Sequence, residues 1–152
     1  NEEDGEIESN KEEACKYYKM AADKGEINAM NNYAWMLEKG EGCESDKKEA
    51  LIYYKQAAEL GLASAMCNYA TMLAHGDDIE VPHDPQQAFE YYQMAADHDD
   101  DQARVICAQM LENGEGVEVD KNKALQYYKV AAENGQINAM YRYATILDNG
   151  EG

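Results

Sequence analysis

The chain carries the same pattern of residues four times, and successive copies are 36 or 38 residues apart. The repeated positions hold Ala, Tyr, Leu and Gly; in the second copy they are Ala50, Tyr53, Tyr54, Ala57, Ala58, Gly61, Ala65, Leu73 and Gly76. A period of this length is typical of a solenoid, in which each repeat buries its apolar face only against its neighbours. The sequence therefore predicts one array over residues 1–152.

The four copies occupy residues 14–49, 50–87, 88–123 and 124–152. Residues 5–10 have the composition of the end of an earlier loop, and the fourth copy stops at Gly150-Glu151-Gly152, in the middle of a repeat. We therefore expect this chain to be an excerpt from a longer array.

Each copy has the pattern of a helical hairpin. Ala50, Tyr53, Tyr54 and Ala57 fall on one face of a helix, which Gly61 then ends, and a second helix is expected to begin near Ser64. The helix starts are predicted from an Asp or Asn cap followed three residues later by Glu or Gln, as at Asn10–Glu13, Asp46–Glu49 and Asp84–Gln87. The predicted fold class is all-α, a solenoid of such hairpins.

The motif Ala…Tyr-Ala…Leu…Gly-Glu-Gly-Val…Asp…Ala…Tyr-Tyr…Ala-Ala…Gly, clearest from Ala103 through Gly135, resembles the Sel1-like repeat family, a relative of tetratricopeptide repeats. This resemblance implies a right-handed α/α superhelix that acts as a scaffold or adaptor. The third copy departs from the motif, because Asp99 replaces a Gly, Arg104 a Met and Cys107 a Tyr. We expect this copy to be the least regular.

The net charge of −18 disfavours nucleic acids and anionic membranes as partners, because both are negatively charged. Between Gln56 and Asp120 there are fourteen acidic residues and one base, Arg104. This stretch either attracts a partner with a basic segment or is simply a solvated acidic face. No apolar run is long enough for membrane insertion.

Cys15, Cys43 and Cys107 occupy positions that are apolar in other copies, and the four cysteines form no repeated pair, which predicts small buried thiols rather than disulfides. Unpaired cysteines favour a reducing compartment, so we expect a cytoplasmic protein, with a secretory lumen as the open alternative.

The variable positions of one helix in each repeat predict a partner-binding face on the concave side of the solenoid. Its proposed contact residues are Asn28, Asn32, Trp35, Asn68, Thr71, Ile106, Gln109, Arg142 and Thr145, and the same face includes His75 and Asn113. The amides suit a peptide backbone, Trp35 and Ile106 offer apolar contacts, and Arg142 suits a carboxylate. The alternative is an ordinary polar surface on which Trp35 fills a local gap.

The sequence has no nucleophile turn, no phosphate-binding loop and no dinucleotide motif, so we predict a protein that is not an enzyme and uses no cofactor or metal. Asp97, Asp99 and Asp101 imitate the start of a calcium loop, but Gln102 and Ala108 replace residues that such a loop requires. Weak calcium binding at this point stays open.

We therefore expect a non-catalytic adaptor that holds a peptide or a partner's helix in its concave groove. Two alternatives follow from the same residues. The chain could be an assembly array that self-associates through the apolar faces of its ends, or the regulatory region of a longer enzyme such as a kinase or a ubiquitin-ligase component.

Overall fold

The computed structural model describes residues 2–150, with side chains for all of these except 2–5 and 9. Within that range there are eight α-helices and no strand: α1 (Glu2–Asp23), α2 (Ile27–Lys39), α3 (Lys47–Glu59), α4 (Ala63–Ala74), α5 (Pro85–Asp97), α6 (Asp101–Asn113), α7 (Lys121–Glu133) and α8 (Ile137–Asp148). The predicted all-α fold of helical hairpins is confirmed. The first residue and the last two residues of the predicted array lie outside the described residues. No helix in the described range is long and apolar enough to cross a bilayer.

The described residues form two compact units. The N-terminal unit contains residues up to 69 together with 76–82, and the C-terminal unit contains residues 70–75 together with those from 83 onward. In the N-terminal unit, α2 packs against both α1 and α3. In the C-terminal unit, α6 packs against α5 and α7, and α7 packs against α8. Within each unit these helices therefore pack against neighbours in sequence, as expected of repeats.

Aspartate caps begin four of the eight described helices, α3, α5, α6 and α7. The side chain of Asp46 accepts a hydrogen bond from the backbone N–H of Glu49 (2.9 Å), and Asp84 does the same for Gln87 (2.9 Å). Both predicted caps are confirmed. The third, at Asn10, is wrong, because α1 begins at Glu2 and Asn10 lies inside it. The glutamates around Asn10 favour a helix and no proline interrupts them, so residues 5–10 are helical rather than a loop.

Residues with positive φ follow several helices. Gly61 has φ +96° after α3, and Asp99 has φ +62° after α5, where the other copies have Gly. The predicted cap thus survives the change to Asp, a residue that tolerates this conformation better than most. The other non-glycine residue with positive φ among the described ones is Asp78, in the longer loop between α4 and α5. Asp99 lies in the third copy, and Asp78 lies in the second copy, in the loop that precedes the third.

Small alanines and large tyrosines share the core. Ala34, Ala50, Ala108 and Ala124 are completely buried, which lets the helix backbones approach closely. Tyr54 and Tyr128 are the largest fully buried side chains, and no described polar or charged residue is classed as buried. The four cysteines are thiols rather than disulfides in the described residues, and burial raises the pKa of Cys107 to about 12.

Candidate partner-binding groove

The C-terminal unit contains a groove of about 450 Å³. The end of α4, α5, α6, the loop after α6, and α8 all contribute to it; its lining residues are Ala74, His75, Tyr92, Ile106, Gln109, Met110, Glu112, Asn113, Glu115 and Arg142. Because α6 supplies half of these residues, this helix forms the floor of the groove. A volume of this size accommodates a few side chains of a peptide.

Three predicted contact residues converge in this groove: Ile106, Gln109 and Arg142. His75 and Asn113, which belong to the same predicted face, also line it. Variable positions on neighbouring helices therefore meet at one place, as expected if they form one surface. Glu112 and Glu115 were not predicted to belong to this face, because Glu112 lies at a position that recurs as Glu38 and Glu115 lies in the repeated Gly-Glu-Gly turn.

The Glu112 carboxylate is the electrostatic centre of the groove. It accepts one hydrogen bond from Nη2 of Arg142 (2.7 Å) and another from the hydroxyl of Tyr128 (2.6 Å). Burial opposes ionisation of Glu112, but these two donors hold its pKa below the ordinary value. Burial and the bond to Glu112 raise the pKa of Tyr128 to about 12. Arg142 thus binds a carboxylate of its own chain.

The opposite edge of the groove is also held by hydrogen bonds. His75 Nδ1 lies 3.0 Å from the carbonyl oxygen of Thr71, so this nitrogen carries the proton and donates it. The Thr71 hydroxyl in turn lies 2.7 Å from the hydroxyl of Tyr92. On the far side, Asn113 Nδ2 donates to Glu115 (3.2 Å). The side chain of Gln109 is exposed.

Four predicted contact residues lie in the N-terminal unit. Trp35 is 42% exposed on α2, and Asn28 is exposed on the same helix. Asn32 and Asn68 are half-buried, and Asn68 Nδ2 donates to Asn31 (3.0 Å). The side chain of Trp35 is therefore accessible for contact.

The two predicted threonines bond within the fold. Thr71 contacts Tyr92 as described above, and the Thr145 hydroxyl donates to the carbonyl of Tyr141 (2.8 Å) one turn earlier in α8. Both residues stay predictions as partner contacts.

The acidic run after α5 forms ion pairs with one base of its own chain. The guanidinium of Arg104 forms ion pairs with Asp101 and with Asp99, the latter at 2.7 Å. No group of three potential metal ligands occurs in the described part of the chain. Arg104 is therefore the ion-pair partner of two carboxylates of this run.

A sequence model of the Sel1 repeat matches residues 2–26, 27–62, 63–100, 102–136 and 137–152, nearly the whole chain. The chain belongs to the Sel1 repeat family. In this phasing a complete repeat begins with α2, α4 or α6, so the helices that carry the predicted contact face come first in each Sel1 repeat. The resemblance inferred from the motif is confirmed.

Solved structures agree with this assignment. A Sel1 repeat protein from Oxalobacter formigenes is 32% identical with a TM-score of 0.82, and the match covers 89% of this chain and 55% of that one. The protective antigen c5321 of uropathogenic Escherichia coli, which displays an SLR fold, is 25% identical with a TM-score of 0.88, covering 93% and 30%. Helicobacter pylori cysteine rich protein B is 20% identical with a TM-score of 0.68, covering 88% and 94%, and shows the fold alone.

The chain spans about half the length of the Oxalobacter protein and under a third of the E. coli antigen. No curated protein matches it. The comparisons thus assign the family and the fold.

Proposed function

We propose that this chain is a non-catalytic adaptor that holds a segment of a partner protein in the groove of the C-terminal unit. Sel1 repeat proteins are generally scaffolds for protein interactions, and the family is typically non-catalytic. The observation that carries the proposal is the convergence of Ile106, Gln109 and Arg142 on one groove of about 450 Å³.

The lining of the groove favours a peptide with one apolar residue and a neighbouring base. Ile106, Met110 and Tyr92 provide an apolar floor for the first. The charge of Glu112 is already balanced by Arg142, whereas the carboxylate of Glu115 accepts a hydrogen bond from the neutral amide of Asn113. A Lys or Arg of the partner would complete an ion pair with Glu115. The acidic composition of the chain also attracts such a segment.

The exposed Trp35 supports a second contact in the N-terminal unit. Aromatic residues are common anchors of protein interfaces because they bury a large area with few rotatable bonds. Asn28 and Asn32 lie on the same helix and supply amides for a peptide backbone.

The groove is tested with peptides selected from a randomised library against the complete chain. We expect selected peptides to combine an apolar residue with Lys or Arg, and Gln109→Arg to weaken their binding about tenfold or more, because it fills the groove and repels a base. Ile79→Arg is the matched control, because it adds the same charge at a residue that is highly exposed in the loop between α4 and α5. Fluorescence anisotropy gives the affinities, and Trp35→Ala tests the second contact.

Equal binding by the wild type and the Gln109→Arg variant would contradict the groove assignment. If only Trp35→Ala weakens binding, recognition lies in the N-terminal unit and the groove is not the site. Thermal unfolding of each variant checks that the fold is intact.

We also propose that the chain self-associates through its end helices. The support is the exposure of apolar residues on α1 and α8, among them Tyr17, Met20, Met140 and Leu147.

We propose the cytoplasm as the compartment of this chain, on the support of four cysteines that are thiols in the described residues. Fluorescence microscopy of the tagged protein in its own cells tests that location, and a signal confined to secretory compartments would contradict it.

A further inference from the structure

Two cysteine thiols lie next to each other in the N-terminal unit. Cys15 belongs to α1 and is 5% exposed, and Cys43 is half-buried in the loop between α2 and α3. A hydrogen bond joins the two thiols. Because the whole of α2 separates these cysteines in the sequence, it is the fold that brings them together.

The backbone places the two residues close together independently of that hydrogen bond. Gly42 is buried, and a Cβ added to it would collide with the backbone carbonyl of Lys11 in α1. In an α-helix this carbonyl accepts a hydrogen bond from the N–H of the residue four positions later, which is Cys15. Cys43 directly follows Gly42, so it begins at the turn of α1 that contains Cys15. An ion pair between Lys11 and Glu41 (2.9 Å) holds the loop there.

The third copy has two apolar residues at the equivalent positions. Phe89 corresponds to Cys15, and Val117 corresponds to Cys43. In that copy Gly116 makes the same close approach to α5 that Gly42 makes to α1. Apolar side chains are therefore sufficient for the packing of helix and loop, and the two thiols add a chemistry that this packing does not use.

The two thiols differ in their access to an oxidant. Burial, followed by the hydrogen bond with Cys43, raises the pKa of Cys15 to about 12, so this thiol keeps its proton near neutral pH. Cys43 is the more exposed of the two, and its Sγ donates to the backbone oxygen of Glu41 (3.7 Å) within the loop. A small oxidant such as hydrogen peroxide therefore reaches Cys43 first, and Cys15 reacts with the product.

We propose that Cys15 and Cys43 are a peroxide-sensitive pair that closes to a disulfide within one chain. The Cys43 thiolate attacks hydrogen peroxide, the O–O bond breaks, and hydroxide leaves while Cys43 becomes a sulfenic acid. The sulfur of Cys15 then attacks the sulfur of Cys43, so that the S–S bond forms, the S–O bond breaks and water leaves with the proton of Cys15. The net reaction oxidises two thiols and reduces one peroxide to two waters.

The disulfide would fix the loop after α2 to α1. It stabilises the N-terminal unit, because a cross-link between distant positions restricts the unfolded chain. In a reducing compartment a thiol such as glutathione reverses it, as is typical of a regulatory disulfide. This property is separate from peptide binding in the groove, which lies in the C-terminal unit.

Peptide mapping after oxidation tests the pair directly. The complete chain is treated with hydrogen peroxide, alkylated, and digested with trypsin without reduction. We expect a linked product of residues 12–16 and 40–47, each of which contains one cysteine, in protein that remains monomeric, and its loss on treatment with dithiothreitol. Oxidation should also raise the melting temperature by about 5 °C or more.

Three variants identify the thiols that take part. Cys43→Val introduces the residue that the third copy has at this position, so the fold should be intact, and we expect neither the linked product nor the rise in melting temperature. Cys15→Ala should leave Cys43 as a sulfenic acid that dimedone traps. Cys67→Ala is the matched control, because it also removes one thiol of the N-terminal unit, and it should still form the link.

Two results of the mapping would overturn the proposal. One is oxidation of Cys43 to a sulfinic acid with no link to Cys15, and the other is a link that occurs only between two chains. An equal rise in melting temperature for the wild type and Cys43→Val would overturn the stabilisation by the disulfide. Circular dichroism verifies that each variant is folded before oxidation.

Discussion

The junction of α2 with α3 and the junction of α6 with α7 share their packing residues but differ in what surrounds them. In the first, Glu38 accepts a hydrogen bond from Tyr54 and pairs with the adjacent Lys39 (2.6 Å) on its own helix. In the second, Glu112 accepts from Tyr128 and pairs with Arg142, which comes from α8. The repeated residues therefore determine how the two helices of a junction pack. The variable residue Arg142 adds a contact from a third helix, α8, at the second junction. Only the second junction lines the groove.

Substitution of a glycine that contacts the preceding hairpin is expected to cause the largest loss of stability. The loss should be equal at the two junctions. A Cβ on Gly42 would lie 2.2 Å from the carbonyl oxygen of Lys11, and one on Gly116 would lie 2.1 Å from that of Pro85. Both glycines also have positive φ. Because backbone atoms cannot move away as a side chain can, we expect Gly42→Ala and Gly116→Ala each to lower the free energy of unfolding by about 3 kcal/mol or more.

Gly40→Ala is the matched control for this prediction. Gly40 has φ +68°, close to the +70° of Gly42, but its added Cβ would meet the side chain of Ser45 at 3.3 Å rather than a backbone oxygen. The conformational cost alone is about 1–2 kcal/mol. Urea denaturation followed by circular dichroism compares the three variants. Equal losses for Gly40→Ala and Gly42→Ala would show that the close approach to α1 contributes nothing.

Removal of the two tyrosine hydroxyls is expected to cause an intermediate loss of stability. Tyr54→Phe and Tyr128→Phe keep the buried rings and remove only the hydrogen bond to Glu38 or Glu112. We expect a loss of about 1–2 kcal/mol at each junction, since the acceptor is charged and partly buried. The loss should be larger at Tyr128, whose bond is the shorter one. A larger loss at Tyr54, measured by the same urea unfolding, would reverse the proposed order of the two junctions.

The repeated residues made the fold predictable, because a position that is apolar in every copy has to be buried in every hairpin. Ala50, Ala124 and Tyr54 are examples, and all three are buried. The start of α1 was not predictable in this way, because residues 2–10 have no counterpart in the later copies and Asn10 only imitates a cap. A local signal was outweighed there by the helical preference of the residues around it.

The groove was only partly predictable for a related reason. Ile106, Gln109 and Arg142 could be predicted because they occupy positions that vary between copies, and all three line the groove. Glu112 could not be predicted in this way, because it occupies a position that recurs as Glu38. The role of Glu112 in the groove depends on its hydrogen bond from Arg142 of α8. This is a tertiary contact that spacing along the sequence does not encode.

The smallest expected effect is the pH dependence of stability that the ionised carboxylate contributes. It should distinguish Glu112 at the second junction from Glu38 at the first. The pKa of Glu112 is held below its ordinary value of 4.5 in the folded chain. Ionised Glu112 therefore contributes stability above the pKa of the unfolded chain, and this contribution is lost as the pH falls through the lower folded pKa. We expect Glu112→Gln to lower the melting temperature most near neutral pH, by the equivalent of about 1 kcal/mol.

Below about pH 4 the wild type and the Glu112→Gln variant should converge, because the wild-type carboxyl is then increasingly protonated as well. Comparing the two proteins at each pH is essential, since the other acidic residues lose their mutual repulsion as the pH falls and change the stability of both alike. Glu38→Gln is the matched substitution at the first junction, where the cation is the exposed neighbour Lys39, and its cost at neutral pH should be smaller. A difference between wild type and Glu112→Gln that stays constant with pH would mean that the ionised carboxylate does not link α8 to this junction, and that Arg142 is held there by packing alone.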